Sequence, residues 1–141
     1  MIDPFDTIPN AEMTFRSTML LHQLCHENII HLCKVTPCEK DLYVIVECMD
    51  ADVHRAIRGN ILLDPHRQYI VYQVLKALKF IHSCRVIHGS VKPSNMLLDE
   101  TCRVVLDCFE KARIVDQVFN IQEEYIYARW YSAPEIVSFH W

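Results

Sequence analysis

The stretch Val86–Glu100 contains the side chains of this chain that are best suited to chemistry. It reads VIHGSVKPSNMLLDE and includes His88, Ser90, Lys92 and Asn95 between two short apolar runs. Apolar runs separated by turn-forming residues predict two strands joined by a loop. Polar groups that hold a ligand often lie on such a loop. The pattern therefore predicts a ligand-facing loop, in which a serine hydroxyl acts as a base or nucleophile only if a neighbour activates it.

This loop resembles the catalytic loop of eukaryotic protein kinases, whose pattern is His-Arg-Asp followed by x-Lys-x-x-Asn. His88, Lys92 and Asn95 match that pattern, and Lys-Pro-Ser-Asn is similar to the MAP kinase branch. Gly89 stands in place of the Arg and Ser90 in place of the Asp. In the family that Asp accepts or orients the proton of the substrate hydroxyl. The resemblance implies that Ser90 is a degenerate base position beside a retained Lys92.

A second segment, Asp107–Arg113, reads DCFEKAR and resembles the family's Asp-Phe-Gly-Leu-Ala-Arg segment. Phe109 and Ala112 set the register, which places Cys108 at the metal-binding Asp. Asp107 lies one position early, so on an extended backbone it would face the opposite side. Because Mg²⁺ is a hard ion and a thiol is a soft ligand, we expect no metal to bind here.

The helix predicted over Ala11–Leu24 has a stripe through Phe15, Met19 and either Thr18 or His22, and the stripe is widened by Leu20, Leu21 and Leu24. It resembles the family's C-helix, with Ser17 in place of the Glu that pairs with the ATP-binding Lys. The chain has two glycines, and both follow this helix, so no glycine-rich loop precedes it.

Two strands are predicted next, His31–Thr36 and Leu42–Glu47, joined by a turn at Pro37–Asp41. The second is rich enough in β-branched and aromatic residues to be a central strand. In the family this strand leads into the hinge that binds adenine. The resemblance implies a degenerate cofactor-binding set consisting of Val46, Glu47, Met49, Asn95, Leu97 and Cys108.

Three more elements are predicted from apolar periodicity and boundary residues. A short helix over Asp50–Arg58 should end at Gly59. A long helix over Leu63–Ser83 should be capped by Asp64, with Pro65 in its first turn. A strand is predicted over Arg103–Leu106. The apolar stripe of the long helix is formed by Ile70, Val71, Val74, Leu75, Leu78 and Ile81.

These elements predict an α+β chain with a partial protein-kinase-like fold. Residues 11–47 would form a remnant of the N-lobe, with the C-helix and two strands, and residues 48–141 a truncated, mainly helical lower lobe. The 141 residues suit one domain. The resemblance implies a complete kinase domain about twice as long.

Composition argues against several classes of partner. The net charge of -4 favours neither nucleic acid nor an anionic membrane. No apolar run approaches the roughly 18–20 residues of a membrane span, and no signal peptide is visible. The seven cysteines are odd in number and form no Cys-x-x-Cys pair. This pattern favours a reducing cytoplasm or nucleus, with most of the thiols as small buried residues.

The function predicted from these substitutions is that of a pseudokinase fragment acting by protein binding, with a signalling protein as the partner. ATP and Mg²⁺ enter only through the resemblance, and we expect neither to bind well. The alternatives are a fragment of an active ATP-dependent Ser/Thr protein kinase and a decayed gene product without function.

The sequence also suggests an activation site, a pair of metal ligands and a reactive thiol. Glu123 and Tyr125 resemble the Thr-x-Tyr activation site with Glu in place of Thr. His22 and His26 have the spacing of a shared metal ligand pair, with Cys25 between them. Cys108 near a lysine is a candidate reactive thiol.

Overall fold

The computed structural model describes residues 6–39, 41–115 and 130–134, and the following account concerns these residues. They form three helices, seven short strands and two single 3-10 turns. The mixture of helices and small antiparallel sheets is the predicted α+β composition.

The first helix, α1, spans Ile8–Gln23 and begins before the predicted Ala11. The side chain of Thr7 caps it by accepting a hydrogen bond from the Asn10 N–H at 3.3 Å. Pro9 lies in the first turn, where its missing N–H costs nothing. The polar residues before Ala11 therefore start the helix early.

The buried face of α1 matches the predicted stripe only in part. Leu20 and Leu24 of the stripe are buried, whereas Phe15 and Met19 are 67% and 40% exposed. Thr14 and Ser17, which lie outside the predicted stripe, are buried. This face contacts the 3-10 turn Phe109–Lys111. Short side chains suit the close approach of a helix to another backbone segment, and an apolar periodicity does not detect them.

The hairpin after α1 consists of β1, Leu32–Cys38, and β2, Asp41–Val46, paired antiparallel. Pro37, placed by the sequence in the turn, instead pairs with Leu42 inside the ladder. A proline fits a two-stranded ladder where its nitrogen faces away from the partner strand. Within the described residues β2 has β1 as its one neighbour, so the prediction of a central strand is wrong there.

The lower half of the chain is built around two helices. Helix α2 spans Val53–Arg58 and ends at Gly59 as predicted, after a short strand β3 over Ala51–Asp52. Helix α3 spans Asp64–Ser83, and its N-cap is Leu63. The predicted cap, Asp64, lies inside the helix.

At the start of α3, the carboxylate of Asp64 pairs with Arg67 at 3.0 Å, and the Nδ1 atom of His66 accepts the Leu63 N–H at 3.2 Å. The imidazole thus pairs the N–H of the N-cap residue, and no N-cap side chain binds the N–H groups of the first turn.

Four more strands complete the three sheets. The strands are β4 (Val86–Ile87), β5 (Met96–Leu98), β6 (Val104–Leu106) and β7 (Arg113–Ile114). The three sheets pair β1 with β2, β5 with both β3 and β6, and β4 with β7. The strand predicted at Arg103–Leu106 is confirmed as β6.

Helix α3 joins the two apolar clusters of the core. Ala77 and Ile81 pack in the first cluster, and Ile70 and Val74 in the second. Four of the six predicted stripe residues face the core, with Leu78 packed against both clusters, whereas Val71 and Leu75 are 57% and 59% exposed. The other buried residues of the first cluster are Leu20, Leu24, Ile29, Val86, Leu106, Phe109 and Ala112.

A buried polar network joins α3 to β6. The Gln73 side chain is 4% exposed, and its Oε1 accepts from the Asn28 Nδ2 at 3.0 Å and from the Val104 N–H at 2.9 Å. Its Nε2 donates to the Cys102 carbonyl at 2.8 Å. Buried polar groups are tolerated when they are paired in this way. The network therefore fixes β6, and the segment after it, against the helix.

Replacing Gln73 with Leu should lower the free energy of unfolding by about 2–3 kcal/mol, because the Val104 N–H and the Cys102 carbonyl lose their buried partner. Chemical denaturation monitored by circular dichroism measures the change. The matched control is Gln68→Leu, an exposed position on the same helix, with an expected change within about 0.5 kcal/mol. Equal effects of the two substitutions would contradict the role of Gln73.

Candidate catalytic site

The loop His88–Asn95 is held between β4 and β5. Strand β4 pairs with β7, so the loop lies beside the segment Asp107–Arg113. Strand β5 pairs with β6, which ends directly before Asp107. The two segments that resemble the kinase motifs therefore come together, although one precedes β5 and the other follows β6.

His88 connects the two segments. It is 1% exposed, its Nε2 lies 3.0 Å from the Asp107 carbonyl, and its Nδ1 accepts the Ser90 N–H at 3.2 Å. Its ring meets Phe109 edge-on at a centroid distance of 4.7 Å. Burial lowers the pKa of His88 to about 4, so the ring is neutral at pH 7. With Nδ1 as an acceptor, Nε2 carries the proton and donates to Asp107.

Ser90 and Asn95 bind each other. The Asn95 side chain is 8% exposed, and its Nδ2 donates to the Ser90 carbonyl at 2.8 Å and to the Ser90 Oγ at 2.9 Å. The Asn95 carbonyl accepts the Asp107 N–H at 2.9 Å. Among the contacts of the described residues, no carboxylate or imidazole accepts a proton from the Ser90 hydroxyl. The hydroxyl is therefore not activated as a base or nucleophile.

Cys108 has a left-handed backbone, with φ 65° and ψ 65°. The expectation that Asp107 would face away rested on an extended backbone, and this conformation corrects that assumption. The Cys108 side chain is half-buried. Burial, followed by the nearby carboxylates of Glu110 and Asp107, raises its pKa, and the opposing charge of Lys92 is a smaller effect. The thiol stays neutral at pH 7, which argues against a reactive thiolate.

These residues do not fit a magnesium–ATP complex. Mg²⁺ requires oxygen ligands in near-octahedral geometry, and the metal-binding position holds a neutral thiol. Asn95 offers one amide oxygen, while its Nδ2 is occupied by Ser90. Lys92 is half-buried and close enough to Cys108 to affect its titration, so it can still attract an anion. The carboxylates of Asp107 and Glu110 lie near Cys108, but the described residues include no group of three or more His, Cys, Asp or Glu side chains placed to hold a metal ion.

The predicted hinge residues form a separate group around Arg103. Its guanidinium lies 2.5 Å from the Glu47 carboxylate, 3.5 Å from the Met49 sulfur and 3.1 Å from the Asp99 carboxylate. The Glu47 N–H donates to the His31 carbonyl. Arg103 therefore positions the hinge, a role the sequence analysis missed because a single Arg before a strand carries no motif.

The other two predicted cofactor-binding residues lie in strands. Val46 ends β2 and pairs with Leu32, and Leu97 in β5 lies between Asp52 and Val105. Both side chains are half-buried. The structure thus brings Ser90, Lys92, Asn95 and Cys108 together, and Glu47 and Met49 together, with Leu97 in the sheet that carries the loop.

The alternative zinc reading is not supported. In residues 6–39, 41–115 and 130–134, no three or more His, Cys, Asp or Glu side chains lie close enough to hold a metal ion. The His26 Nδ1 accepts the Asn28 N–H, and its ring stacks on Phe80. Glu123 and Tyr125, the predicted activation-site residues, lie outside the described residues.

The prediction that most thiols are buried is wrong. Five cysteines are exposed and two are half-buried: Cys25, Cys33, Cys38, Cys48 and Cys84, then Cys102 and Cys108. Their positions at loops and strand edges leave them in contact with solvent.

The family model of the protein kinase domain matches residues 6–140. The match covers nearly all of the chain and includes both segments of the site, so this chain belongs to the protein kinase domain family. The predicted partial kinase fold of the α+β class is thereby confirmed. Kinases of this family use ATP and Mg²⁺.

The relatives identify the MAP kinase branch. Extracellular signal-regulated kinase 2 of Dictyostelium discoideum is 42% identical over 97% of this chain and 40% of its own length. Mitogen-activated protein kinase 15 of Xenopus laevis is 45% identical over 97% of this chain and 25% of its own length. Mitogen-activated protein kinase 5 of Arabidopsis thaliana is 40% identical over 94% and 37%. The chain is MAP kinase-like and spans less than half the length of these relatives.

One further structural finding concerns membranes. Among the described residues, no helix combines the length and the apolar composition that crossing a bilayer requires.

The buried His88 predicts a specific pH dependence of stability. Its pKa is about 4 in the folded chain and about 6.5 when unfolded, so between these values the unfolded chain binds more protons. Stability should therefore fall as the pH is lowered from about 6.5 to 4, by up to about 3 kcal/mol, with no contribution from this group above pH 7. Urea denaturation at several pH values measures it.

The variant His88→Gln should remove this part of the pH dependence. His54→Gln, at an exposed position on α2, is the matched control and should keep it. An unchanged pH profile in His88→Gln would show that another group is responsible.

Proposed function

We propose that this chain is a MAP kinase-like Ser/Thr protein kinase homologue without catalytic activity, which acts by binding another protein. The observation that supports this proposal is the chemistry of two positions in a site that keeps His88, Lys92, Asn95 and Phe109. The base position holds Ser90, hydrogen-bonded to Asn95, and the metal position holds the neutral thiol of Cys108. Phosphoryl transfer depends on positioning and on charges at these two positions.

The size of the expected loss supports the absence of useful activity. Removing one electrostatic element of an active site costs on the order of 10²–10³ in rate. The base position, the metal position and the C-helix position all lack their carboxylates. At the C-helix position, Ser17 is buried in α1 and donates to the Thr14 carbonyl at 3.1 Å. The three losses act on the same transition state, so a kinase reaction would lose most of its acceleration.

The scaffold around the site is retained, and this favours a binding role. His88 and Phe109 still make an edge-on contact at the centre of the chain. On the outside of α3, Tyr72, Val71 and Leu75 are each more than half exposed. With Arg67 they line a shallow, largely apolar groove of about 450 Å³. Exposed apolar patches with aromatic and Arg residues are typical of protein-binding surfaces, which supports a signalling protein as the partner.

Transfer of labelled phosphate from ATP to Ser/Thr-containing peptides tests the catalytic half of the proposal, with a thermal-shift titration of ATP and Mg²⁺ run in parallel. The wild-type chain should show neither transfer above the buffer blank nor a shift in Tm. The double variant Ser90→Asp with Cys108→Asp restores both carboxylates, and a Tm shift that appears in it alone would assign the loss of binding to these two positions.

Transfer by the wild-type chain clearly above background would overturn the catalytic half and favour the active-kinase alternative. A co-purification in which the wild-type chain recovers no protein would count against the binding half. In that case a sharp two-state melt of the isolated chain would still argue against a decayed product, because a decayed chain should not fold cooperatively.

A further inference from the structure

Gly89 lies closer to its neighbour than any other residue type would allow. A Cβ atom built on it would lie 2.6 Å from the Lys111 carbonyl oxygen and 3.3 Å from the carbonyl carbon. Its φ of +74° lies in the left-handed region, which other residues rarely adopt. Because the obstructing atom belongs to the backbone, a side-chain rotation cannot relieve the clash.

Gly59 provides the internal comparison. Its φ is -73°, and a Cβ atom there would lie 3.4 Å from the Arg55 carbonyl oxygen, an ordinary contact. Gly59 therefore tolerates a side chain, whereas Gly89 does not. Gly59 thus ends a helix, whereas Gly89 allows a close approach of two backbone segments.

The approach at Gly89 joins the two segments of the candidate site. Lys111 is the last residue of the 3-10 turn Phe109–Lys111, and Cys108 directly precedes that turn. Ser90 directly follows Gly89 and accepts from Asn95. A shift of the turn away from Gly89 would therefore also change the surroundings of Cys108 and of Ser90.

We propose that the absence of a side chain at Gly89 lets the loop pack closely against the 3-10 turn, an arrangement here called the Gly89 lock, and that a side chain at this position would separate the two segments. The proposal rests on the proposed function, because it describes how the inactive site is kept in place. Gly89 stands where the resemblance expects an Arg.

The test compares Gly89→Ala and Gly89→Asn with Gly59→Ala in the full chain. Asn tolerates a left-handed backbone better than Ala, but it carries the same Cβ atom. If the contact with Lys111 dominates, both Gly89 variants should lower Tm by about 5 °C or more, whereas Gly59→Ala changes it little. If only the backbone angle mattered, Asn would be nearly as stable as Gly.

The separation itself is read at Cys108. Alkylation under native conditions, mapped to each cysteine peptide by mass spectrometry, should be about tenfold faster at Cys108 in both Gly89 variants. In Gly59→Ala the Cys108 rate should equal that of the wild type, and the exposed Cys25 serves as an internal reference in all three proteins. Loss of folding in both Gly89 variants, with Gly59→Ala folded, is the extreme form of the expected result.

Unchanged Tm and unchanged Cys108 alkylation in the Gly89 variants would overturn the lock. A Gly89→Asn variant as stable as the wild type would overturn it too, by assigning the effect to the backbone angle alone. Neither result depends on phosphate transfer, so the lock and the proposed absence of catalysis can fail independently.

Discussion

The arrangement of the lower half of the chain depends on the hydrogen bonds of the Gln73 carboxamide. Helix α3 can pack against β6 only if the polar groups between them are paired, because an unpaired buried amide or carbonyl costs about 1–3 kcal/mol. Gln73 pairs Val104, Cys102 and Asn28 at once. Apolar contacts alone would allow β6 to slide along the helix. These directional bonds set its register, and the segment that begins at Asp107 follows directly from β6.

The packing of the site and its charges have separate physical requirements. His88 is neutral, and it holds Asp107 and Phe109 through shape and hydrogen bonds. Those contacts need no carboxylate at Ser90 or Cys108. A half-buried carboxylate without a metal costs free energy, so neutral groups at these two positions make the fold more stable than unpaired carboxylates would. The packing of the scaffold therefore does not depend on the charges that catalysis would require.

The sequence predicted those elements whose signals are local and strong. The boundaries of α3 followed from Pro65 and apolar periodicity, and the end of α2 followed from Gly59. The face of α1 was predicted only in part, because Leu20 and Leu24 are buried as expected but Thr14 and Ser17 are buried for their small size, which a hydrophobic pattern does not register. The start of α3 was predicted incorrectly in one respect. The Asp64 carboxylate pairs with Arg67 and does not cap the helix, and the His66 imidazole accepts the Leu63 N–H.

The candidate site was predicted in composition and only partly in geometry. Motif spacing predicted that Ser90, Asn95 and Cys108 lie together. They do, because the short apolar strands that flank one segment pair with the strands that flank the other. The left-handed backbone at Cys108 and the role of Arg103 depend on tertiary contacts. No property of an isolated Arg indicates that it will pair with a carboxylate fifty-six residues earlier in the chain.

Arg103 also orders the predicted hinge residues through contacts within the chain. Its guanidinium binds Glu47 and Asp99 and contacts the Met49 sulfur, so the segment is ordered by groups of the chain itself. At the loop, His88 and the Asn95–Ser90 pair have the same effect. A site ordered by ligand binding would lose its order along with its ligand. Because these segments are ordered by contacts within the chain, likeness to MAP kinases in fold carries no requirement for likeness in chemistry.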